Sequence, residues 1–245
     1  LDTFGTLDSI NAKNIADIGR LSAGFGVATK DVIGLQKALT DTLGVSVNQS
    51  EAIINNIGQL AKQEGVAAGK VIEDIAANTE KFAAFAKGGA DGFAQAAIEA
   101  AKIGTNLSTI LTAADSLLDF ESSLTNEFEA QVLTGKNLNL EKARQLALDG
   151  DIAGLTQEIQ QQVGSMGDLQ AMNVVQRKSL ADSIGITVDQ LTKISRGEAV
   201  AAEETVQDLQ KKTNEILKAG FSEDKEKMDE LISTTAANSQ TTIYE

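Results

Sequence analysis

The stretch Asp149-Gly150-Asp151-Ile152-Ala153-Gly154 opens as a calcium loop does. An EF-hand needs oxygen donors at positions 1, 3 and 5 of the loop and a bidentate Glu at position 12. Here those last two places hold Ala153 and Gln160, so two ligands are lost. The stretch reads instead as a turn between helices, with Asp151 capping the second. Gly24-Phe25-Gly26 with Thr29-Lys30 hints at a phosphate loop. Its spacing matches neither G-x-x-x-x-G-K-[ST] nor G-x-G-x-x-G, and no strand pattern precedes it. A glycine-loosened helix junction is the better reading.

Carboxylate pairs such as Glu203-Glu204 and Glu223-Asp224 could in principle do glycosidase work. That chemistry needs two carboxyls facing a cleft, one with a raised pKa. These pairs fall on charged helix faces that read as solvated. The sharpest candidate is Leu180 to Leu191, where Gly185 interrupts two helical patterns as in a helix-turn-helix. Arg177, Lys178, Lys193 and Arg196 outnumber Asp182 and Asp189 there. The same corner recurs elsewhere in the chain as plain packing, so a packing corner is favoured over DNA reading. Ile184, Ile186 and Leu191 should then be buried.

Composition narrows the chemistry further. The 245 residues include no histidine, cysteine, proline or tryptophan. Histidine is the common general base and metal ligand, and cysteine the common thiol nucleophile. Without them, no residue is assigned a catalytic, cofactor-binding or metal role, and no cofactor is expected. The reading is a structural or interaction protein, not an enzyme. A net charge of −14 argues against nucleic acid and anionic membrane surfaces as partners. No disulfide can form, and no run of eighteen apolar residues marks a membrane span. The chain begins Leu1-Asp2-Thr3, without Met or a signal-peptide pattern, and is expected to be a piece of a longer polypeptide.

The elements behind these motifs are helices. Missing proline leaves the chain free to be helical almost anywhere. Leu35, Leu39 and Leu43, then Ile53, Ile54, Ile57 and Leu60, then Ile72, Ile75 and Ala76 recur at helical spacing. Between such runs sits a repeated punctuation: Leu43-Gly44-Val45-Ser46, Ile103-Gly104-Thr105-Asn106-Leu107-Ser108 and Ile184-Gly185-Ile186-Thr187. Glycine in the left-handed conformation ends one helix, and the polar residue caps the next. Gly44, Gly104 and Gly185 should each have positive φ at a helix C-terminus. With aromatics at 4% and much alanine, thin helix–helix contacts are expected rather than one thick core.

The fold class is therefore all-α: short amphipathic helices joined by glycine corners, with a longer C-terminal helix or helix pair. Residues 1–87 form an N-terminal helical segment. Residues 88–92, Gly88-Gly89-Ala90-Asp91-Gly92, form a flexible joint. Residues 93–197 form the helical block richest in information. Residues 198–233 read as a longer polar helix or pair divided near Gly220, with a weak heptad at Ala199, Ala202, Val206, Leu209, Thr213 and Ile216. Residues 234–245 form a polar tail.

Four stretches within residues 82–197 carry a family resemblance: Phe82 to Gly89, Ala113 to Ser123, Ala143 to Asp151 and Met172 to Ala181. Together they resemble a helical region of tail tape measure proteins of long-tailed bacteriophages, especially marine contractile-tailed ones. The resemblance covers a little under half the chain and contains no catalytic signature. It implies a structural protein of the virion tail, assembled in the host bacterial cytoplasm. Such a protein sets tail length during assembly, occupies the tube lumen or hub, and is released on infection. It implies a homo-oligomer, trimer or hexamer, with tail tube and baseplate hub proteins as partners and no specific nucleic acid. The glycine corners fit a folded segment better than an uninterrupted rod. Two alternatives stand beside it: a bacterial helical interaction or signalling module, and a helix-turn-helix regulator.

Overall fold

The computed structural model describes residues 12–85, 87–165, 167 and 169–197. Those residues belong to a compact unit spanning Leu1–Glu203, while a second unit, Glu204–Glu245, lies outside the described residues. The long polar helix expected at 198–233, its heptad, the two carboxylate pairs and the polar tail fall there too.

The described chain is helical, with no strand in its element order. The helices are α1 (Ala12–Phe25), α2 (Thr29–Leu43), α3 (Val47–Gln63), α4 (Ala68–Ala77), α5 (Phe82–Phe85), α6 (Gly89–Lys102), α7 (Leu107–Leu118), α8 (Phe120–Thr134), α9 (Glu141–Leu148), α10 (Ile152–Ser165), α11 (Val174–Ile184) and α12 (Val188–Arg196). Short 3-10 turns sit at Thr79–Lys81 and Leu169–Ala171. None of these helices is long and apolar enough to cross a membrane.

The corners form as the spacing predicts. Gly44, Gly104 and Gly185 have φ of 64°, 76° and 81° at or just past a helix end. After α6 and α11 the geometry is a Schellman motif. Thr105 N–H donates to Ala100 O and Ile186 N–H to Ala181 O, both at 3.0 Å. Gly104 and Gly185 N–H donate to Ala101 O and Asp182 O, both at 3.2 Å. These bonds satisfy carbonyls that the helix end leaves orphaned. Each following helix is then capped by a side chain. Ser46 Oγ accepts from Gln49 N–H, Asn106 Oδ1 from Thr109 N–H, and Thr187 Oγ1 from Gln190 N–H. Ser46 and Thr187 form full capping boxes, because the Gln three residues on reaches back to the cap's own N–H.

Packing departs from the expected thin contacts. One contiguous buried cluster runs from Ile18 to Ile194. The reason is α6, whose Phe93, Ala94, Ala96, Ala97, Ile98, Ala100 and Ala101 are all buried. Its small side chains let α4, α7 and α10 approach from different sides. Alanine thus thins each contact but allows more neighbours, and the core closes. The Gly88–Gly92 stretch, expected as a joint between regions, leads straight into that helix. Gly92 sits in its first turn, where a Cβ would collide with the Lys87 carbonyl. Close approach, not freedom, explains that glycine. Gly58 of α3 is similar, with the Phe25 ring occupying the place a Cβ would take.

Candidate functional site

The sequence motifs resolve as helix junctions. Asp151 Oδ1 accepts from Gly154 N–H at 2.9 Å and caps α10, while Asp149 ends α9. Among the described residues, no group of three or more carboxylates could hold a metal ion. Gly26, with φ of 66°, follows the last residue of α1. In the helix-turn-helix look-alike, Ile184, Ile186 and Leu191 are buried. The opening turn of α12 is committed to the protein, since Gln190 Nε2 donates to Thr109 Oγ1 of α7 at 2.7 Å. Lys178 pairs with Asp182 at 3.0 Å and Lys193 with Asp189 at 2.7 Å. Two of the four local cations are thereby matched by acids on their own helices.

Two surface features remain as candidates. The first is a groove of about 640 Å³ where α4 and the N-terminal ends of α7 and α12 meet. Asp74, on α4, reaches across it. Its Oδ2 accepts from Leu107 N–H, and its Oδ1 from Asn78 Nδ2 at 3.2 Å. Asn106 takes Thr109 N–H, so Asp74 and Asn106 share the free donors of α7. Burial pushes the Asp74 carboxyl up to about 6, against the opposing pull of the Leu107 and Ser108 N–H groups, with nearby Glu73 adding to the rise. No sequence signal marked Asp74, because its partner lies 33 residues away.

Chemically, a carboxyl titrating near neutrality in a groove is a candidate acid or base. Here its oxygens are held by the Leu107 and Ser108 amides and by Asn78. The groove's other polar groups, Asn106, Thr109 and Gln190, also bond one another. The arrangement is a cross-helix cap. Its pH signature follows from the raised folded pKa. The stabilisation from neutral Asp74 is full below 3.8 and is lost as pH rises through about 6. Asp74→Asn is therefore expected to gain on the parent protein between pH 4 and pH 7, by about 2 kcal/mol after solvent screening. Urea titrations of both proteins at those two pH values check it. A gap that stays constant with pH would sink it.

The second feature is the outer face of α8. Phe120, Leu124, Phe128 and Val132 are 46%, 55%, 69% and 65% exposed. They follow one another at intervals of four, so they form a row along the helix. The buried side of α8 is Ser123, Glu127 and Ala130. Glu127 Oε2 accepts from Arg144 Nη1 of α9 at 2.6 Å, and Arg144 also donates to Ser123 Oγ at 3.2 Å. Glu127 Oε1 accepts from Leu140 N–H at 3.1 Å. The helix is thus held inward largely by polar groups, while large apolar groups point outward. Along its length α8 packs chiefly on α11. Gln176 Nε2 donates to Leu133 O, and Asn126 Nδ2 to Asp182 O, so the two helices run antiparallel.

No family model, curated protein or solved structure matches this chain.

Proposed function

We propose that this chain is a structural protein of a bacteriophage tail: a folded segment of a tape measure protein that works by association rather than catalysis. The observation that carries an association role is the α8 face. A contiguous row of large exposed apolar side chains is often a functional surface that another chain covers. The resemblance across residues 82–197 supports the tail assignment, and that block includes α8. The charge of −14 also suits a protein that must clear a tube through which DNA later passes.

In this reading several copies, as a trimer or hexamer, sit in the tube lumen or hub against tail tube and baseplate hub proteins. They set tail length during assembly and leave on infection. Residues 12–197 supply compact helical bodies along the longer chain. The test is a tail particle purified from the producing phage and imaged by electron cryomicroscopy. Density for this segment in several copies on the tail axis is expected. One asymmetric copy, or a position outside the tube and hub, would overturn the proposal.

A further inference from the structure

We propose that the exposed face of α8 is a self-association surface, on which a second copy of this chain packs its own α8 antiparallel about a two-fold axis. The row itself sets the packing geometry. Side chains spaced by four make one of the two main ridges on a helix surface, and two such ridges interlock at a crossing angle of about −50°. A two-fold axis passing between Leu124 and Phe128 then sets Phe120 opposite Val132 of the second copy and Leu124 opposite Phe128. Each large ring meets a smaller aliphatic group, so the pair fills space evenly.

Area fits this occupant. With ~150–250 Å² for an aromatic side chain and less for Leu and Val, the measured exposures leave roughly 400 Å² of apolar surface on each copy. A specific interface buries about 800 Å² per partner, with an apolar centre and a polar rim. The row supplies such a centre.

Charge sets the direction. The exposed end of α8 near its N-terminus carries Asp119 and Glu121, and exposed Lys136 follows its C-terminus. A parallel pair would set Glu121 against Glu121 and Lys136 against Lys136. The antiparallel pair sets Lys136 beside Asp119 and Glu121 of the second copy, and it opposes the two helix dipoles favourably. A two-fold surface of this kind is isologous and closes on itself. It makes dimers, and of the two tail assemblies proposed above it is compatible with the hexamer, as three such pairs joined by a second contact, and not with the trimer. The proposal does not rest on the tail assignment.

The test uses the full 245-residue chain. Sedimentation equilibrium should show a concentration-dependent monomer–dimer equilibrium. Phe128→Glu should raise the dimer Kd by at least ~30-fold, the loss expected for a central contact, with an unchanged circular dichroism spectrum. Lys136→Glu should also weaken the dimer. Direction is read by cross-linking, which the absence of cysteine makes clean. Phe120→Cys and Val132→Cys chains, mixed and oxidised, should link to each other and not to themselves. A monomer at all concentrations, a dimer indifferent to Phe128→Glu, or Phe120→Cys self-links would each overturn the proposal. Dimers in solution together with a particle lacking this chain in its tail would leave the surface standing and remove the tail assignment.

Discussion

Arg144→Ala is expected to destabilise the folded unit by about 3–5 kcal/mol. The side chain is 9% exposed and that of its partner Glu127 11% exposed. Removing the guanidinium leaves a carboxylate taken out of water and facing Ser123 and the Leu140 amide alone. The penalty is that of an unpaired buried charge, not the net value of the ion pair, which desolvation makes small. A paired replacement separates the two. Arg144→Met with Glu127→Leu removes both charges and keeps similar volume, so most of the loss should return. Leu140 N–H then loses its acceptor, which keeps the recovery partial. Urea unfolding followed by circular dichroism measures all of this. A single variant within ~1 kcal/mol of the parent would show that water already reaches the pair, and the account of α8 as held inward by polar groups would fail.

That pair also marks the limit of what local sequence pattern encodes. The glycine corners were legible because every group in them is local. Gly104, its Schellman bonds and the Asn106 cap lie within one short stretch, and residue type fixes the backbone conformation. Arg144 and Glu127 lie 17 residues apart on different helices, and nothing in either helix announces the other. Asp74 and its α7 amide are twice as distant in sequence. The α8 row is a harder case, because its pattern misleads. Apolar residues at intervals of four ordinarily mark the core side of a helix. Here Ser123, Glu127 and Ala130 face inward, and the row faces water. Periodicity finds an apolar face but cannot say whether this chain or another covers it. The thin core expected from composition failed for a related reason. Composition counts small side chains but not their neighbours, and α6 is enclosed by several helices.

Gly185→Val should cost on the order of 3–4 kcal/mol, and two separable effects add to that figure. The first is backbone strain. Gly185 has φ of 81°, where a β-branched residue pays about 1–3 kcal/mol. The second is contact. A Cβ at this position would meet Ser116 Cβ and Oγ of α7, and the Ala113 backbone lies 3.6 Å away. Relief requires α7 to move, at about 1–3 kcal/mol for overpacking. Gly44 supplies the control. Its φ is 64°, and a Cβ there meets nothing within 4 Å. Gly44→Val should therefore show the strain alone, about 1–2 kcal/mol. Ser116→Gly removes the obstructing atoms at a helix penalty of about 1 kcal/mol. Combined with Gly185→Val, it should cost less than the sum of the two single changes by about 1–2 kcal/mol. Strict additivity would mean that α7 yields freely, and that this corner is fixed by its own backbone rather than by its seat on the neighbouring helix. The distinction bears on the helix-turn-helix look-alike. A corner seated on α7 holds the start of α12 against Thr109, where Gln190 already bonds.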